Sequence, residues 1–459
     1  MGLSMGLSRR RKYRGLWSKI LLGALVLSVI PIVLPQARAT TLTVHAPIVI
    51  NGDSDFTFAN GVIGGRGTPS NPYLIQNWNI SNYLCCGPGG ATGPGISISN
   101  THSYFILQNV ISVQHGYPGL KLTNVANGMV TQSILGGYPW TLVINASRNV
   151  RIFDEANGNT RPFNLRVLIT GSERVTVANS TIYWMTTEWS AHVSIIGNTI
   201  TGNGCPLCIF HSSNVIVLGN TMLGCDCVKV VISGSDHVRF SHNIVAGDRP
   251  FALGSSSSVE ISDNQIHGGA DTGVVLSGCS DLTFSGNQVL LDQDPDNGAA
   301  LKIDLCNGST ISRNTIGGTY HLAFDGISVS HSSEFTISRN TIFNSTTAVI
   351  ISDSSDMRII QNDILSNNQG VVLNRTMNIQ VFDNNFLHNS AQAIDHQGTG
   401  NTWDNGYPSG GNYWTDYTGT DPDRDGIGDT PYVFSDNQDR FPLMEPFQSN
   451  SHAGSSTIA

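Results

Sequence analysis

Apolar and polar residues alternate along most of this chain, and the alternation returns in a fixed phrase. Phe335-Thr336-Ile337-Ser338-Arg339-Asn340-Thr341-Ile342 is followed by Met357-x-Ile359-x-x-Asn362-x-Ile364 and then by Ile379-x-Val381-x-x-Asn384-x-Phe386. The unit is apolar-x-apolar-x-x-Asn-x-apolar. Alternation with a period of two predicts short strands that turn one face inward. Earlier copies centre on Asn109, Asn198, Asn220, Asn243, Asn264, Asn287 and Asn314, with degenerate copies on Gln132, Glu155 and Ser180. Successive centres lie 18 to 27 residues apart. Repeats this short, made of strands and lacking a leucine-rich consensus, predict an all-β fold, a parallel β-helix of about thirteen coils. At roughly 4.8 Å per coil the stack is on the order of 60 Å long. Each coil buries its apolar face only against its neighbours, so stability accrues along the stack.

The asparagine column follows from that geometry. An amide that recurs once per coil donates to one neighbour and accepts from the other, which satisfies polar groups that are costly to bury. These asparagines are therefore expected to be structural. A second column lies eight residues upstream: Thr101, Asn124, Ser147, Ser172, Ser190, Ser212, Ser235, Ser256, Cys279, Cys306, Ser332, Ser354 and Thr376. Small side chains at that position predict a tight turn.

Composition agrees with many strands and turns. There are 49 Gly and only 12% charged residues, which suits neither a disordered nor a helical chain. Residues 1–39 have the form of a signal peptide. Arg9 to Lys12, Arg14 and Lys19 are basic, Ile20 to Leu34 is apolar, and Ala37-Arg38-Ala39 fits a cleavage site. An uncleaved signal anchor is the alternative, and no other membrane contact is expected. Without this segment 17 basic residues face 33 acidic ones, and only Lys121, Lys229 and Lys302 remain as lysines. Such a balance argues against nucleic acid as a partner and suits a secreted or cell-surface protein that binds cations.

Eight cysteines in an exported chain suggest disulfides. Cys279 and Cys306 stand where other coils place Ser, so they read as small interior residues on adjacent coils that are also placed to oxidise together. Cys205 and Cys208 are expected beside Cys225 and Cys227, as two disulfides or as a zinc or copper(I) site. Cys85-Cys86 has no assigned role.

The sharpest chemical motif is Asp421-Pro-Asp423-Arg-Asp425-Gly426-Ile427-Gly428-Asp429. Carboxylates of Asp421, Asp423, Asp425 and Asp429, with the carbonyl of Ile427, match a calcium loop in which Gly426 permits the bend. Tyr432 stands where such a loop carries a bidentate Glu, so Asp436 or Asp439 is the expected substitute. A structural calcium is the cofactor expected here. A weaker acidic loop is Asp292-Gln-Asp294-Pro-Asp296-Asn-Gly298.

For catalysis, the best acid-base grouping is Lys302 and Asp304 on one strand face, with Asp271 and Asp325 in flanking coils. Scattered surface charge is the plainer reading of these residues, and no catalytic residue is assigned. Tyr183, Trp184 and Trp189 crowd into the shortest coil, while Tyr138 and Trp140 lie in a Gly/Pro turn. Exposed aromatic rings there would stack on sugar rings. Sequons occur at Asn79, Asn145, Asn179, Asn307, Asn344 and Asn374.

Two flanks carry more specific signatures. The first is Gly61-Val62-x-x-Gly65-x-Gly67-Thr68-Pro69-Ser70-Asn71-Pro72-Tyr73-Leu74-Ile75-x-x-Trp78. The second runs from Trp403-Asp404-x-Gly406-Tyr407-Pro408-Ser409-Gly410-Gly411-Asn412-Tyr413-Trp414 to Asp425-Gly426-Ile427-Gly428-Asp429-Thr430-Pro431-Tyr432. With the repeats between them, residues 45–445 resemble the periplasmic copper-binding (NosD-type) β-helix family in its archaeal surface-protein form. The resemblance implies a right-handed parallel β-helix of the carbohydrate-binding and sugar-hydrolase type. Physically, the flanks read as caps that cover the open ends of the stack. The expected organisation is a signal peptide at 1–39, an N-terminal cap at 40–100, coils at 101–400, a C-terminal cap at 401–447 and a disordered tail at 448–459. No Met-rich or His-rich cluster supports copper. The expected function is non-enzymatic binding of polysaccharide or of a cell-envelope component. A polysaccharide lyase, hydrolase or epimerase is the first alternative, and metal delivery is the second.

Overall fold

A computed structural model describes residues 41–81, 92–155, 164–223, 228–268, 272–292, 298–319, 323–435 and 437–448. The expected signal peptide, Cys85, Cys86, Cys225, Cys227, Asp271, Asp294, Asp296 and Asp436 lie outside them. From Leu42 onward the chain forms one compact unit, a right-handed parallel β-helix. Among the described residues the coils have three faces. The first is a strand of up to six residues, such as Asp325–Ser330, in a sheet of 15 strands. The second is a short strand such as Thr336–Ser338, also in a sheet of 15. The third, such as Thr341–Phe343, belongs to a sheet of 11 strands, with a four-stranded sheet on the corresponding face of the N-terminal coils.

Registers run from coil to coil without slippage, so inward residues form columns. Leu276, Ile303, Val329, Ile351 and Leu373 pair in succession and are all buried. The alternation read in the sequence therefore fills one continuous core.

The asparagine ladder is present, and it is longer than the repeat suggests. Asn198 N–H donates to Oδ1 of Asn220 at 2.9 Å, and each coil repeats the bond up to Asn384, whose N–H donates to Oδ1 of Asn412 at 3.1 Å. Each Asn also sends its Nδ2–H back to a carbonyl of the preceding coil, as Asn287 does to Ile261 at 2.9 Å. Towards the N-terminus the same position holds Ser180, Glu155, Ser133 and Val110, joined by N–H to side-chain oxygen bonds. The expected members Asn109 and Gln132 stand one residue earlier. Both have positive φ, and Asn109 makes a half-buried bond to Asn77 at 2.8 Å outside the ladder. A left-handed residue precedes each ladder position from Val110 to Asn384, and Asn adopts that conformation readily, so Asn109 mimicked the motif.

The second column holds as well, except at Asn124. That residue is left-handed and exposed, and Val125 takes the buried place. Ser147, Ser172, Ser190, Ser212 and Ser235 each accept the N–H of the column residue one coil before. Cys279 and Cys306 keep the pattern, with Cys279 N–H directed at the Cys306 sulfur at 3.2 Å, and the two are joined by a disulfide. A third ladder, Ser345–Asn367–Asn389, lies where the third face turns back to the first.

Both ends are covered. Val62–Gly64 adds an antiparallel strand to the edge of the second sheet, and Trp78 Nε1–H donates to the Gly61 carbonyl at 2.7 Å. At the far end Phe386, Trp414 and Tyr432 stack at centroid spacings of 4.2 and 4.4 Å, extending the core column into the cap. Trp403 Nε1–H donates to Asp395, and Arg440 grips Asp404 with two bonds of 2.9 and 2.7 Å.

Candidate functional site

The turn between the first and second faces has one design in coil after coil. A left-handed residue is followed by the small buried column residue, an extended residue that bridges to the next coil, and a second left-handed residue. His331-Ser332-Ser333-Glu334 and Trp189-Ser190-Ala191-His192 are two examples. Stacking these turns produces a groove along one edge. The small column is its floor, the left-handed residues that precede the column are one wall, and the bridging residues are the other.

Two hollows lie in this groove. One of about 470 Å³ is lined by Asn307, His331, Ser333, Asp353, Arg375 and Met377. A smaller one of about 190 Å³ includes His102, Asn124, Arg148 and Glu173. Between them in the chain, on the left-handed row that precedes the column, Trp189 is 66% exposed and stacks face to face on His211, with centroids 4.2 Å apart and planes 6° from parallel. The residue that follows His211 in the row is Gly234, where an added Cβ would strike the imidazole at 2.9 Å. Glycine there leaves room for the ring pair to lie flat along the edge.

The charged groups of the groove are arranged in pairs. Nδ1 of His331 lies 2.9 Å from Oδ1 of Asp304, and Ser330 Oγ–H donates to the same oxygen at 2.8 Å. These bonds hold the Asp304 carboxyl below its ordinary range. Arg375 donates twice to Asp353, at 2.7 and 2.6 Å. Asp236 accepts from Ser257 at 2.8 Å and lies against His237, and both bonds lower its pKa.

The expected acid-base grouping is only partly assembled. Lys302 and Asp304 share the outward side of their strand, and Lys302 adds to the lowering of Asp304. Asp325 stands at the start of its strand, paired with Ala299 and Thr347, and burial raises its pKa. His331, which the sequence reading passed over, is the closer partner of Asp304.

The aromatic cluster divides in two. Trp189 belongs to the groove, whereas Tyr183 and Trp184 join Tyr138 around Arg166, at the other end of the same strands. The guanidinium carbon lies 5.1 Å from the Trp184 ring, 5.5 Å from Tyr183 and 5.6 Å from Tyr138. Nearby, Cys205 is joined to Cys208 by a disulfide, so neither sulfur is available as a thiolate ligand.

In the Asp-rich loop, ligand oxygens of Asp421, Asp423 and Asp429 converge within 4.8 Å of one another. The loop is anchored by the bridge between Ile427 and Leu443, and Gly426 takes φ +90°. Asp421 also accepts the N–H groups of Arg424, Asp425 and Gly426. Asp425 stands outside the converging set: it accepts from Ile427 N–H at 2.8 Å and bonds to Tyr407. Asp439 is not the missing ligand, because its carboxylate takes the N–H groups of Asn412, Trp414 and Phe441. Contact between Asp421 and Asp423 raises the pKa of Asp423, so the proton of one acid competes with a cation for this set.

Sequence comparison matches parts of this chain to known families. The model of the periplasmic copper-binding protein (NosD) family matches residues 230–419, and that of the right-handed β-helix region matches residues 164–289. The matched coils are thus of the NosD type, within a right-handed β-helix. No curated protein matches it in sequence. Among solved structures, the NosD-type coil is similar to the periplasmic alginate epimerase AlgG, with 12% identity over 72% of this chain and 85% of that one, at a TM-score of 0.39. PfbA, a surface adhesin of Streptococcus pneumoniae, matches at 11% identity over 67% and 85%, with a TM-score of 0.36. A tailspike protein of E. coli bacteriophage HK620, solved in complex with a hexasaccharide, matches at 10% over 72% and 71%, with a TM-score of 0.40.

The NosD name implies copper, and the described residues do not fit it. Their converging ligand set is made of hard carboxylate oxygens, which suits calcium rather than copper(I). Met185, Met222 and Met357 are sealed in the core. No helix among the described residues is long and apolar enough to cross a membrane.

Proposed function

We propose that this protein is exported or held at the cell surface and binds polysaccharide along the turn groove without processing it. The observation that carries the reading is the Trp189–His211 pair. A flat, two-thirds exposed indole backed by a parallel imidazole gives a rigid apolar platform, and apolar faces of sugar rings stack on such platforms. On either side the groove offers the bridging serines Ser257, Ser333 and Ser355, with imidazoles and carboxylates, which match the hydroxyl groups of a glycan. One turn recurs at each coil step, so a linear polymer meets the same chemistry repeatedly along its length.

Calcium belongs to the same reading. Asp421, Asp423 and Asp429 hold the ion, and its role is to fasten the loop against the cap rather than to take part in a reaction.

A glycan array probed with wild-type protein and with Trp189→Ala, each with and without calcium, tests the proposal. Wild-type protein is expected to retain at least one polysaccharide, with affinity lowered about tenfold by the substitution, the equivalent of one lost ring stack. Equal retention by both proteins, or no retained glycan across a wide panel, overturns the reading. Release of shortened or modified product overturns its non-catalytic part.

A further inference from the structure

We propose that Arg166 is an oxyanion subsite, so that the glycan taken by this protein is an acidic one bearing carboxylate or sulfate groups. The inference rests on the polysaccharide-binding reading and names its ligand class.

Arg166 opens the strand Arg166–Thr170, which pairs with Trp184–Glu188 so that Arg166 lies beside Trp184. The rings of Trp184, Tyr183 and Tyr138 surround the guanidinium at the distances given above. The cage is held in place. Trp184 Nε1–H donates to the Asn203 carbonyl at 2.7 Å, and a Cβ on Gly202 would meet the Tyr183 carbonyl at 1.9 Å and the Trp184 ring at 2.4 Å. Aromatic walls take the faces of the guanidinium and leave its edge, which is the part that pairs with planar oxyanions.

That edge is under-used. Of five N–H donors one goes to the Pro139 carbonyl, at 3.3 Å, and no carboxylate pairs with Arg166 among the described residues. Four other arginines, Arg174, Arg239, Arg375 and Arg440, each have an acid within 4.0 Å, and Arg166 is the one set among three rings. What sets Arg166 apart is the fixed aromatic cage around a guanidinium that has no acid beside it among the described residues.

Charge distribution supplies an independent argument. Residues 92–223 carry six Lys and Arg against four acids, whereas residues 224–459 carry ten against 27. One of those four acids, Glu155, is buried in the ladder. An anionic polymer is therefore repelled by most of the molecule and admitted at the coils that hold Arg166, Trp189 and His211. Trp184 and Trp189 are the two ends of one stretch of strand, about 17 Å apart at 3.3 Å per residue. One short oligosaccharide reaches both.

The test is equilibrium binding in calcium-free buffer with three probes: polygalacturonate, dextran sulfate and neutral dextran. Wild-type protein is expected to bind at least one acidic probe about tenfold or more tightly than dextran. Preference for polygalacturonate assigns a carboxylate and preference for dextran sulfate a sulfate. Arg166→Gln is expected to abolish the preference. Arg166→Lys, which keeps the charge and the fold, is expected to recover only part of it, because an ammonium cannot pair bidentately. Trp189→Ala is expected to weaken every probe that binds. Retained preference in Arg166→Gln, or equal binding of dextran, overturns the subsite and leaves polysaccharide binding standing. No binding of these probes or of any glycan on the array removes both.

Discussion

The backbone N–H of Asn412 donates to Oδ2 of Asp439 at 2.7 Å, so a ladder of neutral amides ends on a carboxylate. Asp439 is fully buried, and a Cβ on Gly411 would lie 2.0 Å from its oxygen, so only glycine lets the acid close over the last rung. Burial pushes the Asp439 carboxyl up to about 6, against the hydrogen bonds from Asn412, Trp414 and Phe441 that favour its charge.

That value sets a pH dependence. The native state holds this proton more tightly than the unfolded chain, whose Asp titrates near 3.8. Stability therefore falls as pH rises from about 4 to 6, and above that Asp439 withholds about 3 kcal/mol. Asp439→Asn is expected to flatten this part of the curve while losing one acceptor, at a cost of about 1 kcal/mol. Urea unfolding of both proteins across pH 4 to 8 checks it. An unchanged difference between them at every pH would exclude the assignment.

Mid-ladder rungs are expected to be worth more than asparagines outside the ladder. Asn287→Ala removes the acceptor for both N–H and Nδ2–H of Asn264 and the donor to Ile261. Three buried groups lose their partner, which costs about 3–5 kcal/mol. Asn109→Ala, half-buried and outside the ladder, is expected to cost less, about 1 kcal/mol for its bond to Asn77. Denaturant melts of the two variants give the comparison directly.

Cys279 and Cys306 separate two roles that usually coincide. Their bond spans 27 residues and contributes about 3.5 kcal/mol by loop closure, while the sulfur of Cys306 also accepts a backbone N–H. Changing both to Ser is expected to restore the column and lose only the crosslink. Changing both to Ala is expected to cost a further 1–2 kcal/mol for the orphaned donor. If the Ser and Ala pairs unfold at the same denaturant concentration, the sulfur is not an acceptor.

Calcium is expected to raise the melting temperature by at least about 2 °C at saturation, since an ion bound only by the folded chain stabilises it. Asp421→Asn and Asp429→Asn should each remove the effect, and Asp425→Asn should keep it. Scanning calorimetry with calcium and with chelator decides between these outcomes. Loss of the effect in Asp425→Asn would return that residue to the ligand set.

The coil was legible because its physics repeats. Alternation fixed the inward faces, and the Asn and Ser columns gave the register of the central coils from Ser172 to Asn384. Legibility failed where one residue type serves two positions: Asn109 and Asn124 sit at left-handed sites beside the true columns. Asn412 was missed as a rung because the cap reaches it after 28 residues, beyond the spacing of the other coils. The groove was hidden for a different reason. The wall that holds Trp189, His211 and His331 is defined by left-handed backbone rather than by residue type, so these three share no pattern in sequence. The Arg166 cage draws on three separate segments, and pairwise spacing gives no hint of it.

Every rung of the principal ladder points the same way, from a backbone N–H to an oxygen one coil closer to the C-terminus. A chain that leaves the ribosome or the export channel N-terminus first therefore presents, at its growing end, a donor whose acceptor has not yet emerged. Each finished coil is a template waiting for the next, and truncation at any coil leaves a bare amide where the rod stops. Only the last segment, which brings Asp439, ends the series. Assembly is thus a one-way zipper whose slider arrives with the final residues of the cap.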